Sequence, residues 1–479
     1  MEVVVTERTG ARKGWALGVV FLVMFLVSLD LSIVNVALPA IDETLGFGPS
    51  GLSWVINAYL LTFAGLMLLG GRLADLTGKR TLLLASLGLF ALASAWGGAA
   101  QHGWELLAAR ALQGVGAAVL APMTLALATS EFPEGPERTK SMSVWGGAGA
   151  AGGAVGVVLS GVLTDHLGWR WVMWVNLVFV VAAAVAVQRG TDNRVVARRG
   201  RPDVLGAALV TFGTTALVLG VIATESHSWG SVRVLGWFAA GAVLLAGFAW
   251  AETRAADPLV PLEFLRRRSL LGATLFGFML TSGQIASFYF VAQFLQRVLG
   301  YSPTLTGVAF LPFCVGVVIG LRIAMAVTPK WGPRPVLLVG GLVGALGLLW
   351  FGFADPSTTF LTGLLGPSLV GSIGIGASVV AMGTAAVAGV PAEQSGLASG
   401  VLNSVRQLGG SLGLAVLVTI SAQVIGNDSS RASLADGYTT SLCLAAGLLA
   451  AGAVISALVL PKAVRAQPPA EVAVVAAVE

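Results

Sequence analysis

The chain reads as an all-α integral membrane protein, and three observations carry that reading. Of its 479 residues, 56% are hydrophobic and only 11% charged, where a soluble chain carries about 25% charged residues. Apolar runs of about 18 to 25 residues, long enough to cross a bilayer as helices, recur from one end to the other. These runs are apolar throughout, whereas a membrane β-barrel alternates apolar and polar residues over about ten positions. The first run, behind a basic stub, is too long and too continuous with the rest of the chain to read as a cleaved leader.

Each run is bounded by Gly, Pro or charge, which gives fourteen spans in order. Span 1 covers 15–38, from Trp15 after Lys13 to Pro39, and span 2 covers 52–71, up to Arg72. Span 3 (81–100) follows Lys79 and Arg80, span 4 (104–129) ends before Glu131, and span 5 (141–163) follows Lys140. Span 6 (170–187) ends before Arg189, span 7 (204–223) follows Asp203, and span 8 (231–251) ends before Glu252. Span 9 (270–293) follows Arg268, span 10 (304–327) lies between Pro303 and Pro329, and span 11 (335–353) between Arg334 and Asp355. Spans 12, 13 and 14 cover 359–382, 400–423 and 438–460, the last ending before Pro461.

An even count puts both ends of the chain on one face, and positive charge tests it, because Lys and Arg concentrate in cytoplasmic segments. One face holds 22 of the 28 Lys and Arg, Arg406 at the start of span 13 among them. The other face holds Arg170, Arg233, Arg297 and Arg431, and Arg110 and Arg322 lie inside spans. Both termini are therefore expected in the cytoplasm, with the basic runs ARRGR (197–201) and LRRRS (265–269) as topology and headgroup determinants rather than nucleic-acid patches. His102, His166 and His227 all fall in outer loops, which disfavours a histidine proton relay. Cys314 and Cys443 sit in apolar runs and read as packing residues.

The chain also resembles itself. LGFGP (45–49) returns as LGYSP (299–303), and the same shift of 254 carries TGKRTLLL (77–84) onto WGPRPVLL (331–338). The simplest account is two parallel six-helix halves, spans 1–6 and 9–14, with spans 7 and 8 inserted, the arrangement of the major facilitator fold. The expected division is an N-terminal bundle (1–190), the inserted pair with its flanking loops (191–265), a C-terminal bundle (266–465) and a disordered cytoplasmic tail (466–479).

Asp30 lies deep in span 1, where a carboxylate must be neutral, paired or facing water. The repeat places it opposite Gln284 of span 9, so both halves put a polar group at one depth. Arg110 in span 4 sits at a similar depth and is the expected partner, while Arg322 is near enough to a span end to snorkel. An acid poised between burial, which favours the proton, and a nearby cation, which favours the charge, can exchange a proton as its exposure changes.

At these residues the sequence resembles the fourteen-helix drug:proton antiporter branch of the major facilitator superfamily. The matching segments are LDLSIVNVALP (29–39), GGRLADLTGKR (70–80), ARALQGVGAAVLAP (109–122), GWRWVMWVN (168–176) and LNSVRQLGGSLG (402–413), which together span nearly the whole chain. The resemblance implies a gating latch at Gly71, Asp75, Gly78, Lys79 and Arg80, and an antiporter-like fifth helix with Gly152, Gly156 and Gly161. The chain departs from the pattern at Leu76 (usually Arg), Val157 (Pro), Ser160 (Gly) and Val178 (Pro), and Pro329 stands where the second half would repeat Asp75.

The expected function is proton-coupled export of lipophilic neutral or monocationic drugs or antibiotics across a bacterial cell membrane. Asp30 would take the coupling proton, with Arg110 favouring its charged form, and Asn35, Gln113, Gln284 and Tyr289 would supply polar contacts in the substrate cavity. No cofactor is expected beyond the proton gradient, no metal and no nucleic acid, with lipid around a monomer. An uptake symporter on the same fold is the alternative, and a polytopic enzyme or receptor is the alternative of another class. The sequence shows no metal-spaced set, no paired carboxylates, no nucleophile with a base and no GxxxxGK[ST] phosphate loop, which disfavours an enzyme or an ATP-driven pump.

Overall fold

The computed structural model describes residues 10–76, 78–132, 135–191, 203–224, 227–255, 259, 267–390, 394–426, 428 and 430–461. The basic tract 197–201 and the tail 466–479 lie outside them. Among the described residues all regular structure is helical, and fourteen helices are long and apolar enough to cross a membrane. In lipid a backbone has no water to bond, so a spanning segment satisfies its own N–H and C=O groups as a helix.

The first eight are α1 (Gly10–Leu45), α2 (Gly48–Leu76), α3 (Lys79–Ala99), α4 (Gly103–Ser130), α5 (Pro136–His166), α6 (Arg170–Gly190), α7 (Val204–Ala223) and α8 (Val232–Arg254). Helix α9 (Arg268–Gln293) runs on through a π-helical turn, Phe294–Val298, and α10 (Pro303–Trp331) is broken at Phe310. The last four are α11 (Pro333–Phe351), α12 (Leu365–Val387), α13 (Ser395–Ile425) and α14 (Arg431–Val459). Fourteen alternating crossings put the start of α1 and the end of α14 on one face, here the terminal face; the opposite one is the distal face.

Several helices outrun the apolar runs that reveal them. Helix α1 continues through Pro39 to Leu45 rather than stopping at residue 38, and α14 begins seven residues earlier than expected, at Arg431. Helix α12 is shifted to 365–387, behind a π-helical turn at Phe360–Leu364. Hydropathy marks the part of a helix that meets hydrocarbon, while polar end turns and a tolerated proline extend it unseen. Starts are fixed by side-chain caps where the chain re-enters the bilayer. Asp203 accepts from the Gly206 N–H on α7, and Ser302 and Ser430 do the same for Leu305 on α10 and Ser433 on α14.

The packing repeats with an offset of eight helices. Helix α1 packs on α4, α5 and α6, α2 on α4, and α3 on α4 and α6; likewise α9 packs on α12, α13 and α14, α10 on α12, and α11 on α12 and α14. Small residues make these approaches, since lipid supplies no hydrophobic force between helices and backbones must come close. A Cβ added at Gly152 or Gly156 of α5 would strike the α1 backbone, and one at Gly409 of α13 would strike Phe278 of α9.

Three seams join the two sets. Helix α2 lies along α13, α5 meets α10, and α1 meets α9. Helix α7 packs on both α2 and α13, with Val218 and Val221 against Leu61 and Ala415 and Ala207 near Leu69 and Val401, and α8 packs on α7. The inserted pair therefore covers the α2/α13 seam and leaves α5/α10 uncovered by it.

Candidate functional site

Asp30 lies fifteen residues before the distal end of α1 and is fully buried, with 0% of its surface exposed. It is not alone. Its Oδ2 accepts from the Arg110 guanidinium at 2.7 Å, and its Oδ1 accepts from Gln113 Nε2 at 3.1 Å and Asn176 Nδ2 at 2.8 Å. Arg110 and Gln113 stand one helical turn apart on α4, so both reach α1 from one face. Asn176 comes from the second turn of α6.

Each partner is itself held. Arg110 Nε donates to the Val55 carbonyl of α2 at 3.0 Å, NH1 donates to Gln113 Oε1 at 2.7 Å, and the guanidinium carbon lies 4.4 Å from the centre of the Tyr59 ring. Gln113 Nε2 also donates to Ser94 Oγ on α3 at 2.8 Å. Five helices thus converge on one carboxylate. The desolvation of a buried ion pair is offset only when the geometry is close and further hydrogen bonds support the charges, as the three bonds to Asp30 do here. A proton on Asp30 would discharge the anion that holds Arg110, so the charge state of Asp30 and the fit of α1 against α4 and α6 are linked.

Of the residues expected to act together, Asp30, Arg110 and Gln113 are brought together. Asn35 instead turns its Nδ2 to the Leu31 and Ser32 carbonyls of its own helix, at 3.1 and 3.2 Å. Gln284 is half-buried on α9, apart from the network. Tyr289 is buried near the distal face beside Gln293 and Arg297. Sequence reasoning missed Asn176, Ser94 and Tyr59; a lone amide between Trp171 and Val187 was the available signal for Asn176.

Arg406 requires a correction. Its expected place among the basic groups at a membrane face does not hold: it lies eleven residues inside α13, because that helix begins at Ser395 rather than at residue 400. Its Nε and NH1 reach Thr281 Oγ1 of α9 and Asn403 Oδ1 at 3.4 and 3.2 Å.

In the latch segment, Gly71 is half-buried near Pro122 of α4, and Gly78 precedes α3 with an ordinary extended backbone, φ −62°. Lys79 donates to Ser130 at 3.1 Å and lies 3.7 Å from Glu131, tying the start of α3 to the end of α4. Arg80 is half-buried. Asp75 falls in the last turn of α2, and its side chain lies outside the described residues. On α5, Gly152 and Gly156 face α1, whereas Gly161 faces Pro303 and Thr304 of α10, so the third glycine serves a different seam.

The distal ends of the two sets are fastened. Asp42 at the end of α1 pairs with Arg297 in the π-helical turn of α9 at 2.5 Å, and Gln296 Nε2 donates to the Val36 carbonyl at 2.9 Å. Thr304 Oγ1 donates to the Gly161 carbonyl at 3.4 Å. These bonds between the α1/α5 and α9/α10 ends cluster at one face.

A family model described as "Major Facilitator Superfamily" matches residues 20–414. The chain belongs to the Major Facilitator Superfamily. Members of this superfamily move solutes across membranes, and the chain is accordingly a multi-pass membrane transporter rather than an enzyme. It is 39% identical to the cephamycin export protein CmcT of Amycolatopsis lactamdurans, over 93% of this chain and 92% of that one. It is 37% identical to the puromycin resistance protein pur8 of Streptomyces alboniger (93% and 91% covered), and 33% identical to the tetracenomycin C resistance and export protein of Streptomyces glaucescens (84% and 75% covered). Among solved structures it is similar to an inward-facing, unoccupied bacterial homologue of the human lysosomal transporter Spinster, with a TM-score of 0.66 at 15% identity, covering 94% and 98% of the chains. That last likeness concerns the fold alone.

Proposed function

We propose that the chain is a proton-coupled antiporter that exports small lipophilic molecules of the antibiotic type from the cytoplasm by alternating access. The terminal face is the cytoplasmic one, as the excess of Lys and Arg on that face supports. The moving bodies are residues 1–190 and 266–465, with 191–265 between them and 466–479 trailing in the cytoplasm. The transporter works as a monomer in a bacterial cell membrane, with the proton gradient as its energy source. Its relatives' names, which speak of export and resistance, favour export over uptake.

The observation that carries the coupling is the caged carboxylate, the only acid held in the interior of the first six helices among the described residues. With the distal ends fastened, Asp30 is charged and clamped to α4 and α6. A proton arriving when those ends part neutralises Asp30 and removes the anion that positions Arg110. Arg110 keeps Gln113 and the Val55 carbonyl, so it is not stranded, but α1 loses its tightest bond to α4. Because α1 carries the glycine-packed α5, a change at Asp30 reaches the α5/α10 seam. The proton leaves when the cage re-forms on the other leg of the cycle.

The test is puromycin transport in proteoliposomes under an imposed pH gradient. Asp30→Asn keeps the shape and abolishes the charge, and is expected to abolish gradient-driven puromycin movement while puromycin still binds. Gradient-driven transport by the correctly folded variant would remove the coupling role of Asp30.

A further inference from the structure

Among the described residues, the interior of the second six-helix set holds a cation without an acid. Arg406 lies about 17 Å along α13 from its start at Ser395, by a rise of 1.5 Å per residue, and well short of Ile425. Its side chain is half-buried, and its aliphatic stem, Met382 of α12 and Leu402 converge over Gly277 of α9. The hydrogen bonds it makes, to Thr281 and Asn403, are long and go to neutral oxygens.

Among the described residues no carboxylate lies within ion-pairing distance of Arg406. Asp436 is exposed in the second turn of α14, and Asp355 and Asp428 lie in distal loops. The one deep acid, Asp30, is fully occupied by Arg110, Gln113 and Asn176. The Asp30 and Arg110 charges cancel and Arg322 is exposed on α10, so among the described residues the net charge enclosed near the middle of the membrane-spanning region is that of Arg406. A guanidinium at this depth costs several kcal/mol unless an anion or water compensates it. It presents a planar fork suited to two oxygens of one oxyanion, and here the NH2 edge has no described partner.

We infer that Arg406, steered by Thr281 and Asn403, receives the oxyanion of a lipophilic acid, so that the exported compounds include carboxylates. This deepens the export reading and rests on it for the substrate path between the two helix sets. It adds carboxylates to the neutral and monocationic compounds that the sequence led us to expect. Met382 and Leu402 pack beside Arg406 over Gly277, so the surroundings of the charged group are apolar, in keeping with a lipophilic acid.

The experiment measures binding of pyrenebutyrate and of its methyl ester to the purified full chain in maltoside micelles, read by quenching of tryptophan fluorescence. The acid is expected to bind about tenfold tighter than the ester, the usual worth of a charge-assisted bond. Arg406→Gln should erase that difference while leaving ester binding in place, and Arg406→Lys should keep part of it, since charge remains and the fork is lost. Equal binding of acid and ester by the natural chain, or equal weakening of both by Arg406→Gln, would overturn the assignment. Competition by dioleoylphosphatidylglycerol but not by dodecanoate would also overturn it, by making a lipid phosphate the occupant. A pH gradient that drives no transport while the acid preference persists would count against proton coupling alone.

Discussion

At Asp30 the carboxylate is worth more to the fold as part of a set than any of its bonds is singly. Removing Arg110 would leave a buried anion on two amide donors, and such a broken pair costs about 3–5 kcal/mol. Arg110→Leu is therefore expected to lower the apparent melting temperature sharply in a thermal scan of the detergent-solubilised protein. Adding Asp30→Asn should recover much of the loss, because the stranded charge goes with it; a double variant as unstable as the two losses added would mean the pair is not a unit. Asn176→Ala removes a single donor, and about 1–3 kcal/mol is expected. The pair itself was legible in the sequence, since a charge amid apolar residues needs a partner at its own depth. Asn176 and Ser94 were not, because a small polar group can satisfy itself on its own helix, as Asn35 does here, and no local pattern says which choice it makes.

Among the elements, α5 shows how one motif divides between two jobs. Gly152 and Gly156 let α5 lie against α1, while Gly161 lets it meet α10 across the seam. Valine at either of the first two positions drives a side chain into the α1 backbone, and overpacking of that kind costs about 1–3 kcal/mol, read as lower expression and earlier melting. Gly161→Val should instead leave each helix set intact and hold the distal ends apart. The check is alkylation of a cysteine placed at Thr304, with Cys314 and Cys443 replaced: distal labelling should rise in Gly161→Val and stay low in Gly153→Ala, where an added Cβ meets nothing. Loss of folding by Gly161→Val would place that glycine inside a body rather than between bodies. The helices were legible as apolar runs, and the repeat showed which should match. The π-helical turn at Phe294–Val298 was not, since FLQRV carries no Gly or Pro to mark it, and its effect is to present Arg297 to Asp42.

For the whole molecule, alternating access requires that contacts at one face be strong enough to hold and weak enough to release. The Asp42–Arg297 pair fits that requirement: the two side chains are 16% and 29% exposed, at a face rather than mid-membrane. An ion pair so placed is worth about 1 kcal/mol, or roughly fivefold in the ratio of closed to open molecules. Asp42→Asn and Arg297→Gln should each shift that ratio toward distal opening. The exchanged double variant, Asp42→Arg with Arg297→Asp, should shift it back. Spin labels on the distal ends of α2 and α10, read by pulsed dipolar spectroscopy, would report a longer distance population in the single variants and a restored short one in the exchange. The Gln296 bond to Val36 and the Thr304 bond to Gly161 remain in all three, so the closed form should be reduced rather than lost. An exchange variant that stays open would show that the Asp42–Arg297 pair does not hold the closed form. The pair would then be a by-product of closure, and the hold on the distal face would belong to the uncharged bonds that α5 and α10 share.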